Sequence, residues 1–240
     1  MAQTVVQLKP RREVAAGRLD LYLQIHKGLR SFMMHTLEKL GRLDARDDCE
    51  TEEALGELRA LLGLCRLHLE KENSFVHAAM EARRPGSTAT IALEHLHHLR
   101  SLEALEAAAR EVARGAGAER DAAALALYRA LALFVAENFE HMHAEETGNN
   151  AVLWEDYDDA ELAAIHRAIL ASIAPEQMAL VGRWMLPAMT ASDRAAQLTE
   201  MQRGAPAEAI AGLMAMLKER LSERDWYKLG AALGPTPPGA

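Results

Sequence analysis

Four short stretches gather metal-type side chains at helical spacing: "LQIHKGLR" at 23–30, "HLEKEN" at 68–73, "EHLHHL" at 94–99 and "HMHAEE" at 141–146. Each residue turns an α-helix by about 100°. His68 and Glu72 are four apart, as are His141 and Glu145. Each pair therefore lies within about 40° on one face. His95 and His98 are three apart and share a face that His97 leaves. His26 falls between Tyr22 and Leu29 on an apolar stripe. By the same phase test His143 and Glu146 point away from their seam. His35 and His77 sit about half a turn from theirs, so all four are expected at the surface. His77 joins the inward set only if "FVHAAM" departs from regular helix.

The inward set is thus His26, His68, Glu72, His95, His98, His141 and Glu145. Unpaired imidazoles and carboxylates in an apolar core either shift their pKa or force the core open. One or two divalent metal ions satisfy all of them together. Imidazole suits iron, zinc, copper or nickel, and carboxylates can bridge two ions. A thiolate-free set of nitrogen and oxygen donors leans toward iron or manganese rather than structural zinc.

The elements that must carry these residues are four long amphipathic helices. The first seam is Leu19, Tyr22, His26, Leu29, Met33 and Leu40. The second, over about 51–82, is Leu58, Leu61, Cys65, His68, Glu72, Phe75 and Ala79. The third, from about Thr88 to Arg114, is Ile91, His95, His98, Leu102, Leu105, Ala109 and Val112. The fourth starts near Asp121 and runs through Leu127, Leu131, Phe134, Asn138, His141 and Glu145. "TGNN" at 147–150 threatens its end. Gly and Pro in "RRPGST" and "GAGAERD" mark the breaks. Short loops between four such helices predict an all-α, up-down four-helix bundle over 1–150. A smaller region of short helices is expected over 151–233, with "DYDDAEL" as a capped start. A disordered Pro/Gly-rich tail follows at 234–240. Cys65, Met33 and Met34 read as core packing. His166, the only histidine of the C-terminal region, reads as an ordinary hydrogen-bonded core residue.

Taken in order, one histidine, H-x-x-x-E, histidine and H-x-x-x-E resemble the hemerythrin-like, HHE cation-binding family, over roughly the first 150 residues. That resemblance implies that His26, His68, Glu72, His95, His141 and Glu145 are ligands of a non-haem di-iron centre. It gives His98 the place of a second histidine on the third helix, although family members space that pair by four and this chain by three. Oxygen carriers space the last histidine and carboxylate by five, which would select Glu146; the wider family spaces them by four, as His141 and Glu145 are. Asn73 stands where the family usually has a second acid. The resemblance implies binding or sensing of dioxygen or nitric oxide, or iron and redox handling, with zinc or manganese as alternative metals.

Other readings compete. Glu94/His97 and Glu140/His143 have the Glu-x-x-His spacing of a ferritin-like carboxylate site, but they lie on consecutive helices and off the seams. A metal-dependent oxidase, peroxidase or iron-repair enzyme would use the same centre. A helical interaction module with a vestigial site would not need it. The C-terminal helices, with Trp184, Met185, Leu186 and Trp226, are candidates for a homodimer contact. The 240 residues carry a formal net charge of −8, which speaks against a nucleic-acid partner. Two cysteines make no disulfide framework. No uninterrupted apolar run reaches the ~20 residues of a membrane span, and the first residues lack the apolar core of a secretory signal, so a cytoplasmic location is expected.

Overall fold

The Asp20 carboxylate accepts hydrogen bonds from the backbone N–H groups of Tyr22 and Leu23, and a helix starts there. This is α1, Leu23–Gly41, so Leu19 and Tyr22 of the expected first seam precede the helix proper. Asp47 caps α2, Asp48–Lys71, by accepting from the Glu50 N–H at 3.0 Å. A single wider turn of π geometry, Glu72–His77, leads from α2 into α3, Ala78–Arg83. After the "RRPGST" break comes α4, Ala89–Arg114. Only Gly115 and Ala116 separate it from α5, Gly117–Ala144. The computed structural model describes residues 17–234, and every regular element among them is helical. Of the expected disordered tail, 235–240 lie outside the described residues.

"TGNN" does not end the fourth helix. A second π turn, Glu145–Asn149, carries the chain into α6, Asn150–Asp156. Thr147 Oγ1 donates to the His143 carbonyl and the Asn150 side chain to the Glu146 carbonyl, so polar side chains satisfy backbone that the wide turn loosens. By length and composition the helix from Gly117 to Asp156 could span a membrane. It nevertheless buries Asn138, His141 and Glu145 inside the protein.

The apolar stripes then choose the packing. α1 lies against α2 and α5, and α4 against the same two, so these four helices close a ring. Its core holds Leu29, Phe32, Leu58, Leu61, Leu102, Leu127 and Leu131, each 2% exposed or less. Burying such a side chain contributes about 1.5–3 kcal/mol. Cys65 and Met33 join this core as expected, whereas Met34 faces out.

The C-terminal region is docked onto the ring. α8, Pro175–Ala188, packs on α1. Trp184 stacks on Phe32 with ring centroids 3.9 Å apart, so this residue is spent on a contact within the chain. Gly28 permits the approach: a Cβ there would stand 2.9 Å from the Met185 Cα. α9 (Ala191–Gly204), α10 (Ala207–Arg220) and α11 (Glu223–Leu233) gather a separate small core around Leu186, Leu198, Leu217 and Leu229. Buried Arg194 donates to the carbonyls of Leu186, Pro187 and Met189, satisfying the open end of α8. The expected capped start is α7, Asp159–Ala171, where Asp158 and Glu161 form a capping box. His166 on α7 is exposed rather than in a core. α7 and α6 cover the first π turn and α3: Leu153 and Leu162 cluster with Tyr22, Val76 and Met80.

This packing predicts a contrast on one helix. Leu131→Ala, at a position with no exposed surface, lowers unfolding stability by about 2–5 kcal/mol in urea titrations. Leu133→Ala, at 62% exposure, changes it by less than about 0.5 kcal/mol.

Candidate metal centre

Each helix of the ring turns one imidazole toward the axis, and α2 and α5 each end at a carboxylate one turn later. The four Nε2 atoms form two pairs. His26 and His68 face each other at 3.1 Å, and so do His95 and His141. Between the pairs lie Glu72 and Glu145. The Oε1 of Glu72 is 3.0 Å from His68 Nε2 and 3.7 Å from His26 Nε2, while its Oε2 is 3.6 Å from His95 Nε2. Glu145 is arranged in the opposite sense, with Oε2 3.4 Å from His26 Nε2 and Oε1 3.4 Å from both His95 and His141. Each carboxylate thus offers one oxygen to each imidazole pair. Two four-donor groups result, His26/His68/Glu72/Glu145 and Glu72/His95/His141/Glu145, sharing both glutamates.

The far edges of the rings are tied down. His26 Nδ1 is 3.1 Å from Glu146 Oε1, His95 Nδ1 is 2.8 Å from Asn73 Oδ1, and His141 Nδ1 is 2.8 Å from Glu94 Oε2. A carboxylate or amide oxygen accepts, so these Nδ1 atoms donate, and a neutral ring then has only a lone pair left at Nε2. His95 and His141 are both held this way, so their lone pairs face each other at 3.1 Å and repel. Among the described residues, all four carboxylate oxygens of Glu72 and Glu145 are buried without a well-aligned hydrogen-bond donor. Such orphaned acceptors destabilise the fold until a cation meets them. Two nitrogens each about 2.1 Å from one ion stand about 3 Å apart when their directions are near a right angle. The spacing of each pair therefore fits ligation of a metal ion.

The electrostatics agree. Burial pushes the Glu72 carboxyl up, but His68 and His26 outweigh it and hold it well below the usual range. Burial, with the negative charge of Glu72 beside it, pushes Glu145 well above that range. Burial also opposes protonation of His141, down to about 2, and of His95, down to about 4, with neighbouring histidines adding to the effect. His26 goes the other way: burial opposes its charge, yet Glu146 and Glu72 raise it. Glu146 meets a burial cost of its own, overcome by His26 and Arg30, which bring it to about 2.

Of the seven expected ligands, six stand in the two groups. His98 is buried on the same face but belongs to neither; its ring meets His141 edge-on at 4.6 Å and Phe134 at 6.1 Å. Glu146 points away from the seam as expected, but its expected place at the surface is corrected, since it is half-buried. It leaves the axis but turns to α1, where it accepts from His26 and from both guanidinium nitrogens of Arg30. His77 is also corrected, being 5% exposed and stacked on His95 at 4.7 Å. The cause is the π turn, whose i to i+5 register sets His77 above Glu72. The second π turn likewise brings Asn149 and Asn150 inward from Glu145; Asn149 donates to the hydroxyl of buried Tyr22. His97 and His143 are exposed as expected, and His35 pairs with Glu57 at the surface. The ferritin-like alternative loses its ligands, since Glu94 serves the outer edge of His141 and Glu140 faces out. That Asn73, Glu94 and Glu146 back the rings of His95, His141 and His26 carried no signal in the spacing, because they act across helices. Comparison with protein-family models, curated proteins and solved structures returns no match for this chain.

Two substitutions separate the groups. His68→Ala removes a donor from one group alone, and metal analysis after loading and desalting finds about one ion per chain instead of two. Glu145→Gln weakens both. It also changes the metal-free protein. A raised acid loses the fold stability as pH climbs from about 4.3, the ordinary carboxylate value, toward its raised value. The metal-free Glu145→Gln variant therefore melts a few degrees above metal-free wild type at neutral pH, and the gap closes as pH falls to about 4.

Proposed function

We propose that this chain is a hemerythrin-like protein whose ring of helices is an up-down bundle, holding two non-haem iron ions and binding or sensing a diatomic gas, dioxygen or nitric oxide. The observation that carries the reading is the sharing of Glu72 and Glu145 by two imidazole pairs, one oxygen to each side. Bound there, a pair of iron ions supplies a redox couple and coordination positions for a small ligand. Four imidazole nitrogens and four carboxylate oxygens fall short of the roughly twelve positions of two six-coordinate ions, which leaves room for such a ligand.

The chain's own residues define the rest. His26, His68, Glu72, His95, His141 and Glu145 bind. Glu146, Asn73 and Glu94 hold the rings of His26, His95 and His141 in the tautomer that presents Nε2 inward. Arg30 keeps Glu146 ionised and in place. Leu102 and Phe134, nearly fully buried, keep bulk water from the centre.

Anaerobic loading with ferrous iron tests the proposal. About two iron ions per chain are retained after desalting. Exposure to air or nitric oxide then produces a ligand-to-metal absorption band in the near-ultraviolet or visible. Iron that washes out, or a spectrum blank under both gases, refutes it. At metal concentrations about 100 times the dissociation constant, the loaded fold gains about 2.7 kcal/mol for each ion bound.

A further inference from the structure

The residues of the discarded Glu-x-x-His pattern meet again elsewhere. Glu94 and His97 on α4, with Glu137 and Glu140 on α5, line a cleft of about 470 Å³ open to solvent. Buried His98 and His141 form its inner wall. At the mouth, His97 Nε2 lies 3.3 Å from Glu137 Oε2, two ligand-type atoms turned toward each other. Deeper in, Glu94 Oε2 contacts His141 Nδ1 at 2.8 Å, so the cleft reaches the back of a ligand of the candidate centre. An independent feature points the same way. His98 is 3% exposed, lines the cleft, and has a buried Nδ1 without a hydrogen-bond partner. A desolvated polar atom kept without a partner costs stability and calls for a reason.

The candidate centre itself is nearly closed. Glu72, Glu145, His26, His95 and His141 have side chains no more than 5% exposed, and His68 reaches 11%. A cation entering so dry a centre gives up its water and needs replacement donors along its way. Acidic groups lining a concave surface also concentrate cations at it and speed their arrival.

We propose that this cleft is the loading site of the buried centre: a divalent cation binds first among Glu94, His97, Glu137 and Glu140, and passes inward by His98 and His141. The inference rests on the metal-centre reading above and extends it to a second, transient cation site. His98 is then neither a permanent ligand nor idle packing, but the donor between mouth and centre.

The test follows uptake of cobalt(II) chloride by the full-length, chelator-stripped protein, using the visible absorption of bound cobalt in stopped flow and metal analysis at the endpoint. The cleft variant is Glu137→Gln with Glu140→Gln, and its control is Glu208→Gln with Glu223→Gln, an equal charge change on exposed sites of α10 and α11. The cleft variant is expected to load about tenfold more slowly at low salt, reach the same stoichiometry as wild type, and lose most of the salt dependence of the rate. The control is expected to load like wild type. Equal rates in cleft variant and wild type overturn the proposal. So does a control slowed as much as the cleft variant, which makes net charge the cause. A cleft variant that binds fewer ions at the endpoint overturns the loading role by making these residues ligands. Wild type that takes up no cobalt overturns the centre itself, and the cleft with it, whereas the other outcomes leave the centre standing.

Discussion

Facing imidazole edges with buried carboxylates between them are a constraint that the protein's own hydrogen bonds do not satisfy. Three of the four rings have committed their outer nitrogen to a side chain behind them. Four carboxylate oxygens in the middle have no well-aligned donor among the described residues. The alternatives are a protonated acid, a charged histidine, or a cation; burial beside Glu72 pushes the Glu145 carboxyl up, and Glu146 and Glu72 raise His26 against its burial. Each is a compromise within one dry space. Delivering these groups to one point requires four helices in register, so the packing of the ring and the chemistry of its interior are one problem.

The two imidazole pairs are not equivalent. His26 is backed by an ionised Glu146 that Arg30 holds in two-point contact, while His95 is backed by the neutral amide of Asn73. An anionic acceptor makes an imidazole a stronger donor toward whatever its other nitrogen binds. The position served by His95 and His141 lies beside the acidic cleft. One pair is backed by an anion on the α1 side, and the other stands beside the α4–α5 cleft.

Both shared glutamates open a π turn, Glu72–His77 and Glu145–Asn149. The widened register brings residues onto the inner face that a regular helix would send out, His77 in one case and Asn149 and Asn150 in the other. The C-terminal helices brace the first of these turns and the helix after it: Leu153 and Leu162 pack with Val76 and Met80, and the Tyr157 hydroxyl donates to the Ala79 carbonyl. Docking of α8 on α1 through Gly28 and Trp184 fixes the opposite flank. The region after residue 150 is thus structural support for the ring, whatever surfaces it also presents.

Helicity, the breaks at "RRPGST" and "GAGAERD", the capping box at Asp158, and the shared face of each H-x-x-x-E pair were legible in the sequence. These depend on neighbours within a turn or two, and helical period alone sets that face. Six ligand candidates followed from the same periodicity, because a buried stripe that contains ionisable groups has few physical explanations. Packing decided what local period leaves open. Glu146 leaves its own helix's seam correctly, but only the position of α1 shows that it ends on His26 and Arg30. His98 keeps the right phase yet stands one turn too far along α4 to join its partners. His77 moved inward because a π turn rephases everything after it, and that turn is stabilised by contacts from residues some eighty positions later. Which oxygen of which glutamate faces which imidazole pair is a property of four helices at once, and no single segment encodes it.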